Sequence, residues 1–282
     1  MTMTNRDDAS PVRSMAAAEG GRSLRELLDT YLTWITTPLL LLAFIALWKL
    51  YVVVLDISPF MLPPPEAVAL ALVELLQEPF FWNFFRITVT EILVGFGLAV
   101  VVGAGLGILL GRSKLFERIA SPFIVASQVT PKVALMPLFL LWMGFGMQSK
   151  IAMVVLLSFF PVMKATILGV RSIGSEQRDL FTVIRAPVWK RLLSLDVPAV
   201  LPYLLTGIET ASVLAVTGAI VGEYLGGNEG LGAMVVMTLN AMRVDQMFAT
   251  IVALAIFGFL FYAVIASIRK IAVPWHDSAQ ND

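Results

Sequence analysis

Glu91, Lys132 and Glu209 are ionisable residues set well inside otherwise apolar stretches of this 282-residue chain. Charges at such positions are costly in lipid and are retained where they serve a pathway, a relay or an ion pair. At helical rise, Lys132 lies about 20 Å from the inner end of its stretch, near mid-depth. Glu209 is similarly deep, and Glu91 sits closer to the outer face. With Gln128 one turn away on the same helix face, Lys132 could line a pathway and attract an anionic or polar solute. The competing reading pairs Lys132 with Glu91 or Glu209, and it is preferred because pairing removes the desolvation cost with or without solute. Lys164, near the inner end of the next stretch, is expected to snorkel to the headgroups.

Other chemistry is short of parts. The chain has no cysteine, which excludes disulfides, thiol catalysis and thiolate metal sites. Its lone histidine, His276, falls in a polar tail, so no histidine triad, HExxH site or other metal centre is expected. No nucleophile–base constellation is present, and no residue is assigned a catalytic role. The run Gly107-Ile-Leu-Leu-Gly111-Arg112-Ser113 lacks the four-residue spacer and the lysine of a phosphate loop. The chain is therefore expected to carry no cofactor, any ATP being bound by another chain.

The elements that position these residues follow from composition. Hydrophobic residues make up 58% of the chain and charged ones 14%, whereas soluble globular chains carry about 25% charged residues. The missing polar coat points to a protein solvated by lipid, an all-α integral membrane protein. The formal net charge of zero gives no electrostatic case for nucleic acid. Spans of about 20 apolar residues are expected near 37–55, 84–110, 119–143, 150–170, 198–222 and 246–268. Residues 1–36 read as a polar tail, helical from Ser23 onward, and 271–282 as a second tail, leaving 37–270 as the membrane domain. Segment 66–77, after Leu62-Pro63-Pro64-Pro65, is too short and too charged to span and reads as an interfacial helix. Gly103, Gly107 and Gly111 at i, i+4, i+8 should let helix backbones approach closely. Trp82, Phe80, Phe81, Phe84 and Trp142 read as interfacial belt anchors.

Basic residues set the orientation. With the N-terminus inside, fourteen of the twenty basic residues fall in inner segments, and only Arg86, Lys150 and Arg243 in outer ones. Both termini are therefore expected in the cytoplasm. The long inner loop, 171–196, has charges at its start and an apolar remainder. It reads as a helix, a turn at Ala186-Pro187, and a second helix directed at the membrane. Pro198 and Pro202 would sit in the first turns of span five, where a missing N–H costs least. A connector made basic by the topology rule would account for the arginines, but not for the ordered pattern or for Trp189.

That loop resembles the EAA segment of the permease subunits of bacterial binding-protein-dependent ABC importers, whose pattern is E-A-A-x3-G-x9-I-x-L-P. Aligned on Leu195-Asp196-Val197-Pro198, it puts Asp179 at the acidic position and Arg185 at the glycine. Further segments are similar in order to those of the same family. They include Leu62-Pro63-Pro64-Pro65-Glu66-Ala67-Val68, Pro137-Leu138 through Trp142-Met143-Gly144-Phe145-Gly146, Phe159-Phe160-Pro161-Val162, and Gly222-Glu223-Tyr224-Leu225 with Gly230-Leu231-Gly232. The resemblance spans about 38–270. It is nearest the branch handling sulfonates, taurine, nitrate, thiamine-pyrimidine precursors, riboflavin and aromatic acids. Arg185, Glu91 and Thr130-Pro131-Lys132-Val133-Ala134 lean toward its heteroaromatic or aromatic-acid members.

The resemblance implies a type I importer fold in the bacterial inner membrane and a non-catalytic, ATP-driven function. It also implies two cytoplasmic ABC ATPase subunits, an extracytoplasmic substrate-binding protein and a second permease copy, a homodimer embedded in lipid. Asp179, Arg185, Ala186, Pro187 and Trp189 would couple to the ATPase, and Glu91, Gln128, Lys132 and Glu209 are candidates to line the pathway. The alternative is a gradient-driven secondary transporter or channel using Glu91, Lys132 and Glu209 as an ion route, and the inner docking loop discriminates against it.

Overall fold

The computed structural model describes residues 24–274; most of the two expected tails, with His276, lies outside that range. All regular elements among the described residues are helical. The chain divides into two units at Ile57. The first holds α1 (Leu24–Val54), 31 residues long and passing Pro38 without ending; within it Ile35–Val54 is long and apolar enough to cross a membrane.

The second unit begins with α2 (Pro65–Gln77) and α3 (Pro79–Arg112). Each opens on a proline in its first turn, where the absent N–H would have had no helical partner. Then come α4 (Lys114–Val129), a tight turn over Lys132–Leu135, α5 (Met136–Met143) and α6 (Met147–Arg171). The remaining helices are α7 (Ser175–Val183), α8 (Val188–Arg191), α9 (Val197–Gly226), α10 (Leu231–Asn240) and α11 (Val244–Ala272). Among the described residues five helices are long and apolar enough to cross a membrane, or six if the bent pair α4 and α5 counts as one span.

That bend corrects the single helix expected over 119–143. The axes turn by 90° between Val129 and Lys132. Pro131 has no N–H, and its ring drives the residue before it out of helical geometry; Thr130 accordingly sits at φ −67°, ψ 128°. Its hydroxyl donates to Ala126 O at 2.9 Å, closing the last turn of α4. Gln128 and Lys132 therefore lie on different helical pieces and do not share a helix face.

Span five also differs from expectation. Pro198 does stand in the first turn of α9, with Pro202 one turn on, but helical structure is continuous over Val188–Gly226, so that turn is joined to α8 without a loop. Pro198 cannot donate to the carbonyl four residues earlier, and the chain widens just before it. Leu192–Asp196 forms a π turn in which Val197 N–H reaches Leu192 O, a common way to absorb a local mismatch in a helix.

The core lies between α3, α6 and α9. Ile92, Val154, Val162, Ala211, Ala215 and Ala219 are fully or almost fully enclosed there. The glycine spacing noted above produces this packing. A Cβ on Gly107 would stand 2.8 Å from Met163 O, and one on Gly103 2.8 Å from Phe159 O, distances real side chains do not tolerate. Gly105, on the opposite face, has nothing within 4 Å of such a Cβ. Not all of the expected aromatic belt faces outward: Phe81 and Phe84 are buried, while Phe80, Trp82 and Trp142 are exposed.

Candidate functional site

The helix–turn–helix expected over 171–196 is present as α7, a four-residue turn and α8. The helix α7 ends in a reciprocal cap: Ala186 N–H bonds Phe181 O and Arg185 N–H bonds Thr182 O, both at 3.1 Å. This 6→1, 5→2 pair is the Schellman motif, which puts its penultimate residue in the left-handed region and favours glycine there. Arg185 holds that place at φ +46°, at the position aligned with the glycine of the EAA pattern. Pro187 then opens α8 in extended geometry.

The turn presents apolar surface. Trp189 is 64% exposed, Val188 84% and Val183 80%. Asp179 is also exposed, with no ion-pair partner among the described residues. The side chain that fastens α7 to the bundle is its neighbour Arg178, whose Nη2 donates to Val170 O at 2.8 Å.

Glu91, Lys132, Gln128 and Glu209 do not form one cluster. Lys132 pairs with neither carboxylate. Glu91 Oε1 lies 3.0 Å from Lys150 Nζ, both side chains almost wholly buried. Lys150, counted above among outer-loop residues, stands in the first turns of α6 because that helix starts at Met147. It also donates to Glu229 O at 2.9 Å. One turn along α3, Thr88 donates to Glu223 Oε1 at 2.5 Å and accepts from Leu231 N–H at 2.8 Å. Glu223 Oε2 accepts from Gly232 N–H at 2.6 Å, so a carboxylate caps the start of α10, where the helix dipole favours it. Glu209 pairs instead with Arg269 of α11 at 2.7 Å and accepts from Tyr262 Oη at 2.7 Å.

Lys132, at the bend, places its Nζ 4.4 Å from the centroid of the Phe160 ring. Lys164, expected to snorkel, donates to Gln128 Oε1 at 3.0 Å. Neither lysine has a carboxylate partner among the described residues. Two ammonium groups, an amide and an aromatic ring thus line the side of α6 that faces α4 and the bend. Such a set can hold an anion or a π system.

Sequence reasoning missed Lys150, Glu223, Thr88, Arg178 and Arg269 as partners. Glu223 was within reach, being a carboxylate near the end of an apolar run, the same signal that picked out Glu91. Arg178 and Arg269 carried no comparable signal: Arg178 bonds a backbone carbonyl, which no side-chain pattern marks, and the partner of Arg269 lies 60 residues away in sequence.

A helical membrane protein with an exposed, capped turn leading without a break into a long apolar helix is the class this geometry defines. Residues 99–277 match the family described as the inner membrane component of binding-protein-dependent transport systems. The chain is 37% identical to the formylaminopyrimidine transport permease protein of Halalkalibacterium halodurans, over 77% of this chain and 87% of that one. It is 31% identical to the riboflavin transport system permease protein of Chloroflexus aurantiacus, over 86% and 90%. It is 28% identical to the taurine transport system permease protein of Escherichia coli, over 79% and 83%. The chain belongs to this family of permeases and is a multi-pass inner-membrane protein.

Proposed function

We propose that the chain forms the translocation pathway of an ATP-driven importer for a small organic solute, as one of two identical permease subunits. Both termini and the 171–196 loop face the cytoplasm. There the α7–α8 turn docks on an ABC ATPase that binds the nucleotide, while a substrate-binding protein delivers solute outside. The observation that carries this reading is the exposed Trp189 on a rigid, capped turn continuous with α9. A large aromatic left in the open is the usual anchor of an interface, and a helix running unbroken into a span transmits displacement that a slack loop would absorb.

The solute is an anion or a heteroaromatic compound. Lys132 over Phe160, with Lys164 and Gln128 close by, supports that choice, as do relatives named for formylaminopyrimidine, riboflavin and taurine. Glu91 and Glu209 act as structural partners of Lys150 and Arg269. Their neutralisation also weighs against the gradient-driven carrier, which would need those carboxylates for its ions. The test is co-purification of the permease with its ATPase, plus substrate-stimulated hydrolysis in vesicles, for wild type, Trp189→Ala and Arg185→Glu. If both variants associate and transport like wild type, the loop is a connector and the carrier reading prevails.

A further inference from the structure

Where α3 and α6 end and the α8–α9 rod begins lies a cavity of about 550 Å³. Part of its wall is apolar, with Ile108 of α3, Val170 of α6, and Val200 and Leu204 of α9. The rest carries Arg112, Arg178 and Arg191 against one carboxylate, Asp196. Arg112 Nη2 donates to Asp196 Oδ2 at 3.3 Å, and Arg191 Nε stands 4.0 Å from Oδ1. One negative charge therefore faces three positive ones. The Nε groups of Arg178 and Arg191 are also buried without a hydrogen-bond acceptor, and a buried donor without a partner is costly.

The group that satisfies this cleft must be anionic, accept several guanidinium N–H bonds, and carry an apolar portion for the opposite wall. A free phosphate meets the first two requirements and leaves the apolar wall wet. A phosphodiester carried on acyl chains meets all three, and arginine is the residue suited to forked phosphate recognition. Basic pockets between membrane helices on the cytoplasmic side are where such headgroups bind.

We propose that this cleft binds the phosphate headgroup of an anionic phospholipid, held by Arg112, Arg178 and Arg191. Its assignment to the inner leaflet rests on the orientation given under Proposed function; the chemistry of the cleft does not. Arg112 belongs to the end of α3, Arg178 to α7 and Arg191 to α8. One lipid thus ties the docking helices to the bundle.

The experiment is native mass spectrometry of the purified full chain with phosphatidylglycerol as probe, followed by reconstitution of the complete importer in phosphatidylcholine vesicles. Arg178→Gln with Arg191→Gln should reduce bound lipid about five-fold per arginine removed. Lys270→Gln, outside the cleft, should not. Asp196→Asn removes the internal competitor and should increase retention, a gain that misfolding cannot imitate. Coupled hydrolysis should rise when phosphatidylglycerol is added and stay level with inorganic phosphate. Equal retention by wild type and the double arginine variant overturns the proposal, as does equal stimulation by inorganic phosphate, which would mark a soluble-anion site. Lipid retention is read on the permease alone, so a failure of ATPase docking through Trp189 leaves it unchanged.

Discussion

Lys150 Nζ and Glu91 Oε1 stand 3.0 Å apart, with 3% and 0% of their side chains exposed, so that α3 and α6 are joined by an ion pair sealed from solvent. The same lysine reaches Glu229 O, and Glu223 pins the start of α10 close by. The first half of α3, the start of α6, the end of α9 and the start of α10 are thereby fastened to one another. Breaking a buried pair by deleting one partner costs about 3–5 kcal/mol, because the survivor stays charged and buried. Lys150→Met should lower the unfolding temperature of the purified permease accordingly. Adding Glu91→Gln should recover a measurable part of the loss, and strict additivity of the two changes would contradict the pairing.

Lys132 leaves no carboxylate stranded when it is replaced. Lys132→Met should therefore cut uptake of an anionic substrate while lowering stability by no more than about 1 kcal/mol, the scale of its single cation–π contact with Phe160. Lys164→Met should act in the same direction. A fall in stability comparable to that of Lys150→Met would refute the assignment.

Trp189→Ala should weaken association with the ATPase far more than Lys190→Ala, since aromatic anchors cost about 2 kcal/mol or more at an interface and rim charges little. Pull-down of the ATPase at graded detergent concentrations measures both. Equal effects from the two substitutions would remove Trp189 from the interface.

Arg185 occupies a left-handed conformation at φ +46°, which costs a residue with a Cβ about 1 kcal/mol. Arg185→Gly should stabilise the α7–α8 turn by about that amount, seen as slower amide exchange at Ala186, whose N–H closes the cap. Faster exchange would mean that the arginine side chain itself holds the turn.

The two faces of α3 should respond with opposite signs. Gly107→Val drives a side chain into Met163 O and Thr166 and should destabilise by about 1–3 kcal/mol, the usual cost of overpacking. Gly105→Ala meets nothing within 4 Å and should stabilise by up to about 1 kcal/mol through helix propensity. Thermal unfolding in one detergent compares them directly.

Composition and patterning alone determined that the chain is helical and membrane-embedded, where most spans fall, that Gly103, Gly107 and Gly111 mark a contact face, and that 171–196 is a helical turn. These properties are sums over neighbouring residues. Transfer of apolar side chains into lipid adds along a segment, and a proline or glycine acts on its own turn. The tertiary structure decided the partners. Glu91 could have met Lys132, but α3 packs on α6 through residues such as Gly107 and Thr166, and that register sets Lys150 opposite Glu91. The bend at Pro131 takes Lys132 to Phe160, and the contact between α9 and α11 delivers Arg269 to Glu209. An ion pair needs its two atoms within 4 Å. That depends on helix register, axial rotation and the site of a break, all set by contacts between residues far apart in the chain.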